Sequence, residues 1–204
     1  MGIYLVSVGA QEWLDGDGEG DGDGAEGGRG SLAAALDEEL RRRGLAPYES
    51  VPETAAFVRG SGLSFEEKLV PAMDGFAALC REHLTPKETE LLLGWSVLVP
   101  FSLDEEIRLP VESAYTDETV IAGAPEVLAL AQRLAAAIGL PVEAIPQACD
   151  NLDLTMWFLD GPAKEAAAVR PGPWGEDLDT AFYAALYLRA AQHSLRRGCP
   201  MTYC

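Results

Sequence analysis

The chain is short of lysine, histidine and cysteine, and it has no long apolar run. Three lysines stand beside twelve arginines in 204 residues, and the histidines are two, His83 and His193. Fifteen basic residues against 33 acidic ones leave a net charge of −18. A surface this poor in cations is unsuited to a nucleic-acid backbone, because affinity for phosphate rests on Lys and Arg contacts. An anionic lipid surface is disfavoured for the same reason. No apolar stretch nears the ~18–20 residues that cross a bilayer. The opening Met-Gly-Ile-Tyr-Leu-Val-Ser-Val lacks the basic start and small-residue cleavage site of a secretory leader. A cytoplasmic protein with no nucleic-acid or membrane partner is expected. The four cysteines, Cys80, Cys149, Cys199 and Cys204, are irregularly spaced. A disulfide scaffold is therefore not expected, and the thiols should be reduced. Also missing are a P-loop, a dinucleotide glycine fingerprint, a nucleophile elbow and a metalloprotease helix.

What is abundant is carboxylate and glycine. Residues 15–24 alternate an acid with a glycine five times. Asp15, Asp17, Glu19 and Glu26, with Asp21 between them, match the register of a twelve-residue calcium loop, and Gly20 stands at its turn position. Against a specific site, Gly22 replaces the usual aliphatic residue, and the alternating glycines would have to be frozen from a near-random coil. The favoured reading is one domain over 1–204 with 11–30 as a disordered acidic, glycine-rich insertion and no cofactor. Without the seven carboxylates between Glu12 and Glu26 the charge is still about −11, so the body itself is acidic. The Arg-over-Lys bias and the abundance of Ala, Gly and Pro read as codon usage of a GC-rich, bacterial genome.

Hydrophobic patterning predicts an α+β fold with a mixed sheet. Strands are expected at 3–8, 95–101, 107–111, 119–122, 142–145 and 154–159, each a short bounded apolar run. Helices are expected at 32–43, 65–84, 86–93, 126–138 and 176–197. Ser31 should cap the first of these. Ser64 with Glu67, and Thr85 with Glu88, read as capping boxes. Pro71 should kink its helix or mark a second start. The runs 95–101 and 107–111 suggest an antiparallel hairpin, and 119–145 a strand–helix–strand crossover. Helix 176–197 is apolar nearly all round and should pack on more than one side.

Four places could carry chemistry. Asp150, Asn151 and Asp153 stand at the mouth of the expected strand 154–159, where sheets often present ligand groups. The competing reading is a turn whose acids bond to backbone. Trp174, in a proline-rich loop, could anchor a partner or cover the end of the last helix. Cys80 and His83 share a helix face, which would suit a thiolate and its base. Cysteine on an apolar stripe is more simply a small hydrophobe. His193, Cys199 and Cys204 lack the spacing of a zinc module.

The leading expectation is a non-enzymatic binding protein whose acidic surface recognises a basic protein partner. The alternatives are a small Cys/His hydrolase built on Cys149 or Cys80, and calcium binding through 15–26.

Overall fold

The structure is a computed structural model and describes residues 2–14, 29–111 and 117–204. A mixed sheet forms the middle layer. In chain order the elements are β1 (Tyr4–Ser7), α1 (Ala10–Leu14), α2 (Arg29–Arg42), β2 (Glu66–Lys68), α3 (Asp74–His83), α4 (Pro86–Leu93), β3 (Val97–Val99), β4 (Ile107–Leu109), β5 (Thr119–Gly123), α5 (Ala124–Ala137), α6 (Asp153–Leu159), α7 (Pro162–Val169), α8 (Pro173–Glu176), α9 (Leu178–Arg197) and β6 (Met201–Tyr203). The strand order is β2-β1-β6-β3-β5-β4. β3 and β5 run parallel, and the other pairs are antiparallel.

Alternation of side chains divides two cores across this sheet. Leu5, Leu98, Ala122 and Met201 point into the larger core, with α3, α5 and α9. Val97, Val99, Ile107, Leu109 and Ile121 point the other way, against Trp13 of α1 and Leu32, Leu36 and Leu40 of α2. β3 is buried at all three positions, as its unbroken apolar sequence requires of a strand covered on both faces. Fourteen residues of α9 are buried, in keeping with its all-round apolar pattern. Asp177 caps this helix by accepting the Thr180 amide at 3.0 Å, and Gly198 ends it in the left-handed region at φ 68°. The capping box on α4 is formed. Thr85 accepts the Glu88 amide at 3.3 Å, and Glu88 accepts the Thr85 amide at 2.7 Å.

Several elements differ from the pattern-based expectation. The run 154–159 is the helix α6, with Leu154, Thr155 and Phe158 buried along one side. A run this short has no decisive period, and the outcome is set from outside by a carboxylate on β2 that takes up its first amides. Segment 142–145 forms turns rather than a strand. The guanidinium of Arg189 donates to the carbonyls of Val142, Ile145 and Pro146 at 2.7, 3.0 and 2.9 Å, so those oxygens serve no ladder. The crossover expected over 119–145 therefore does not form, and the parallel neighbour of β5 is β3.

The expected hairpin is also absent, because β5 lies between β3 and β4. β5 is apolar enough for the interior, whereas β4 presents an exposed Arg108 that suits an edge. Helix 65–84 is divided into β2 and α3, separated around Pro71. Ser64 and Glu67 consequently form no capping box. α2 begins at Arg29, which places Ser31 inside the helix rather than at its cap. Four elements escaped pattern reading: the helices α1, α7 and α8, and the three-residue β6, which fills the gap between β1 and β3. Of the insertion expected over 11–30, residues 11–14 belong to α1 and residues 29–30 to α2, so both ends are helical, and Trp13 is 2% exposed, set edge-on to Tyr48. Residues 15–28, with the calcium-loop candidates Asp15, Asp17, Glu19, Asp21 and Glu26, lie outside the described residues.

Candidate functional site

The polar segment 149–153 runs beside β2. The Cys149 carbonyl accepts the Glu66 amide at 2.7 Å, and the Leu152 amide returns to the Glu66 carbonyl at 2.9 Å. Leu152 takes a left-handed φ of 58°, which turns the chain sharply into α6.

Asp150 is 1% exposed and fully engaged. It accepts the Gly62 amide at 2.9 Å, the Ser64 amide and hydroxyl at 3.1 Å, and the Ser61 hydroxyl at 3.3 Å. Burial pushes its pKa up, but these donors outweigh burial and hold it below the usual 3.8. Asp150 is thus a clamp on the loop 61–64, which is distant in sequence, and the local backbone contact that the turn reading anticipates is made by Asp153 instead. Asn151 is half-buried, and its amide donates to Asp153 at 3.3 Å. Asp153 pairs with the Arg59 guanidinium at 3.6 Å. Asp153 borders the groove beside α6, and Asp150 lines a smaller concavity of about 210 Å³ with Glu53, Ser64 and Arg197.

Glu67 lies behind this segment at 0% exposure. Its carboxylate accepts the amides of Leu154 and Thr155, both at 2.8 Å, and the Thr155 hydroxyl at 2.7 Å. It therefore caps α6 from another element. Burial raises its pKa, the three donors act against burial, and the nearby Asp153 charge adds to the rise. The neighbouring Cys149 thiol is pushed well above 9.0 by burial and then by the Glu67 charge. Such a thiol is a poor nucleophile.

The groove beside α6 has a volume of about 460 Å³. Asp153, Met156, Trp157 and Asp160 line it from one face of the helix, spaced as residues three and four apart must be. Arg59 and the loop Pro146–Ala148 face them. Trp157 stacks on Trp174 at 6.3 Å and meets Phe158 edge-on at 4.8 Å. Trp174 itself is 1% exposed, and its indole N–H donates to the Arg170 carbonyl at 3.2 Å. It covers core, so the reading of Trp174 as a surface anchor is overturned. The partly exposed member of the pair is Trp157. A strand reading of 154–159 hides this stripe, because a period of two does not group Asp153, Met156, Trp157 and Asp160.

A second concavity, of about 450 Å³, lies at the other edge of the sheet, where α5 begins beside the β3–β4 loop. Glu90, Asp104, Glu105, Glu106 and Glu126 supply five carboxylates against two cations, Lys87 and Arg108. Arg108 is held by Glu90 at 3.0 Å, by Glu118 at 3.3 Å and closely by Glu106, and Lys87 lies 3.5 Å from Glu105. Asp104 and Glu126 have no ion pair among the described residues; Glu126 instead accepts the Ser102 hydroxyl. Gly123 is required at the floor. A Cβ there would sit 2.7 Å from the Phe101 carbonyl and 3.0 Å from the Leu103 amide. Sequence reading placed 102–106 in a turn but had no means of joining it to Glu90 and Glu126.

Neither histidine is hydrogen-bonded to Cys80, Cys149 or Cys199 among the described residues. His193 Nδ1 lies 3.3 Å from Arg196, its Nε2 is buried without a partner, and His83 stands 3.9 Å from Glu82. Burial, then Arg196 and Arg197, push the His193 pKa down to about 3, so it is neutral and shielded. Cys80 is buried, and burial raises its pKa to about 11. No group of three or more His, Cys, Asp and Glu side chains among the described residues is arranged to hold a metal. No helix among them is long and apolar enough to cross a membrane.

Comparison of the chain with protein-family models, with curated proteins and with solved structures finds no match to any of them.

Proposed function

We propose that this protein is a binding protein for a basic polypeptide, which it receives in the acidic cleft between α4, the β3–β4 loop and the start of α5. The observation that carries this reading is the excess of carboxylate in that concavity, five acids against two cations already paired within it. A ligand cation entering beside Asp104 and Glu126 meets acids that no cation among the described residues pairs with. The overall charge of −18 adds a long-range field that speeds the approach of a basic partner and repels acidic ones. The walls are fixed by the capping box on α4 and by the close packing at Gly123.

Calorimetric titration with an oligolysine peptide at low salt tests this. The wild type should show saturable binding. Asp104→Asn with Glu105→Gln should weaken it about tenfold, from two lost charge contacts of about 0.5–1 kcal/mol each. Glu49→Gln with Glu165→Gln removes the same charge elsewhere and should leave affinity within about twofold. Equal loss in both variants would show only diffuse attraction and would contradict the cleft.

A further inference from the structure

We infer that the groove beside α6 is a second binding site, specific for an arginine side chain of a basic polypeptide. It rests on the reading of the protein as a binder of such chains only for the source of the guanidinium. Its geometry is separate. The groove adjoins α6, which is capped from β2, while the cleft lies at β4. These are opposite edges of the sheet, about 24 Å apart across six strands at about 4.8 Å spacing.

Three features of the groove match one kind of ligand. The first is a carboxylate at each end of an apolar stretch. Asp153 opens α6 and Asp160 caps its C-terminal end seven residues on, about 10 Å at 1.5 Å per residue, with Met156 and Trp157 between them. A long cationic side chain can lay its methylenes along Met156 and place its head at a carboxylate. The second is the indole of Trp157. Trp174 and Phe158 hold it in place, while it remains partly exposed to the groove. A guanidinium stacks flat on such a ring, and an ammonium does so less well. The third is that a guanidinium of this chain already visits the groove. Arg59, 60% exposed, reaches Asp153 at 3.6 Å. That contact is long and solvent-screened, so an incoming arginine can displace it. Arg59 then acts as a weak internal competitor.

The test follows tryptophan emission during titration with a capped tetra-arginine peptide and with its tetralysine counterpart. Trp13, Trp95 and Trp174 are 1–3% exposed, so a change in emission on binding reports Trp157. A saturable change is expected, with the arginine peptide binding about three- to tenfold tighter than the lysine peptide. Asp160→Asn should weaken the arginine peptide about fivefold. Arg59→Ala should tighten it about twofold or more, and Arg41→Ala, which changes net charge equally on α2, should not. Trp157→Leu, followed by calorimetry, should abolish the preference for arginine.

No saturable emission change, equal affinities for the two peptides, or equal effects of Arg59→Ala and Arg41→Ala would overturn the groove. If calorimetric oligolysine binding persists without any Trp157 response, the groove fails and the cleft stands. If the Trp157 response survives while the cleft variant binds oligolysine like the wild type, the cleft fails and the groove stands.

Discussion

Glu67 on β2 and Thr155 on α6 are joined by two hydrogen bonds, the Thr155 amide donating at 2.8 Å and its hydroxyl at 2.7 Å to the same carboxylate oxygen. With the Leu154 amide on the other oxygen, this one buried side chain decides that residues 153–159 form a helix and fixes where it starts. The wall of the groove therefore depends on a residue that lines no part of it.

Glu67→Ala should destabilise the fold by about 2–4 kcal/mol, because it leaves the buried Leu154 and Thr155 amides without an acceptor, while the Thr155 hydroxyl can still donate to the Lys68 carbonyl at 3.2 Å. Glu67→Gln keeps an acceptor and should cost less. The two should also differ in pH dependence. The folded-state pKa of Glu67 is raised above 4.5, so between those values the folded chain holds a proton that the unfolded chain has lost. Its contribution is greatest below 4.5 and declines as pH rises through the folded value. The stability margin of wild type over Glu67→Gln should shrink across that interval in denaturant titrations at a series of pH values. A margin independent of pH would contradict the assignment.

Asp150 should give the opposite slope. Its pKa is lowered, so its contribution is present above the usual 3.8 and is lost as pH falls through the folded value. Asp150→Ala should cost about 1–3 kcal/mol near neutral pH, from the orphaned Gly62 and Ser64 donors. Amide exchange over 60–65 should accelerate in that variant. Exchange there unchanged from wild type would show that the clamp does not hold the loop.

His193 provides an acid-sensitive element of its own. Its folded pKa near 3 lies below the ordinary 6.5, so acidification in that window protonates the unfolded chain first and destabilises the fold. Its Nε2 has no partner to lose. His193→Phe keeps the ring contact with Phe65, now 5.5 Å, and should remove the loss between 6.5 and 3 with little cost at neutral pH. Denaturation midpoints across that range measure it, and an unaltered acid slope would contradict it.

The thiols should react in sequence. Cys80, Cys149 and Cys199 are buried and Cys204 is exposed. Burial raises the pKa of Cys80 and Cys199 to about 11. Alkylation of the native protein, read by mass spectrometry, should mark Cys204 first and the other three after unfolding. Early labelling of Cys149 would revive it as a candidate nucleophile.

Elements with strong local signals were legible in the sequence. The all-round apolar α9 and the Thr85–Glu88 cap are examples, because their periodicity and end chemistry are local. α6 was not, since a six-residue run with five apolar side chains fits a strand equally well and the deciding carboxylate, Glu67, stands 86 residues before it. The same distance hid the partners of Asp150, whose position was marked but whose donors come from 61–64. Trp174 is buried and Trp157 partly exposed because which of two stacked indoles meets solvent is settled by tertiary packing. The cleft was invisible for a related reason. Its carboxylates come from three elements that only the order β3-β5-β4 brings together.

The most direct test of the account is to map oligolysine on isotope-labelled protein by amide chemical-shift changes. Shifts that saturate together and concentrate at 86–91, 102–108 and 123–126 are the predicted result. Shifts spread over exposed carboxylates throughout the chain, with those three segments no more affected than Glu49 or Glu165, would contradict it.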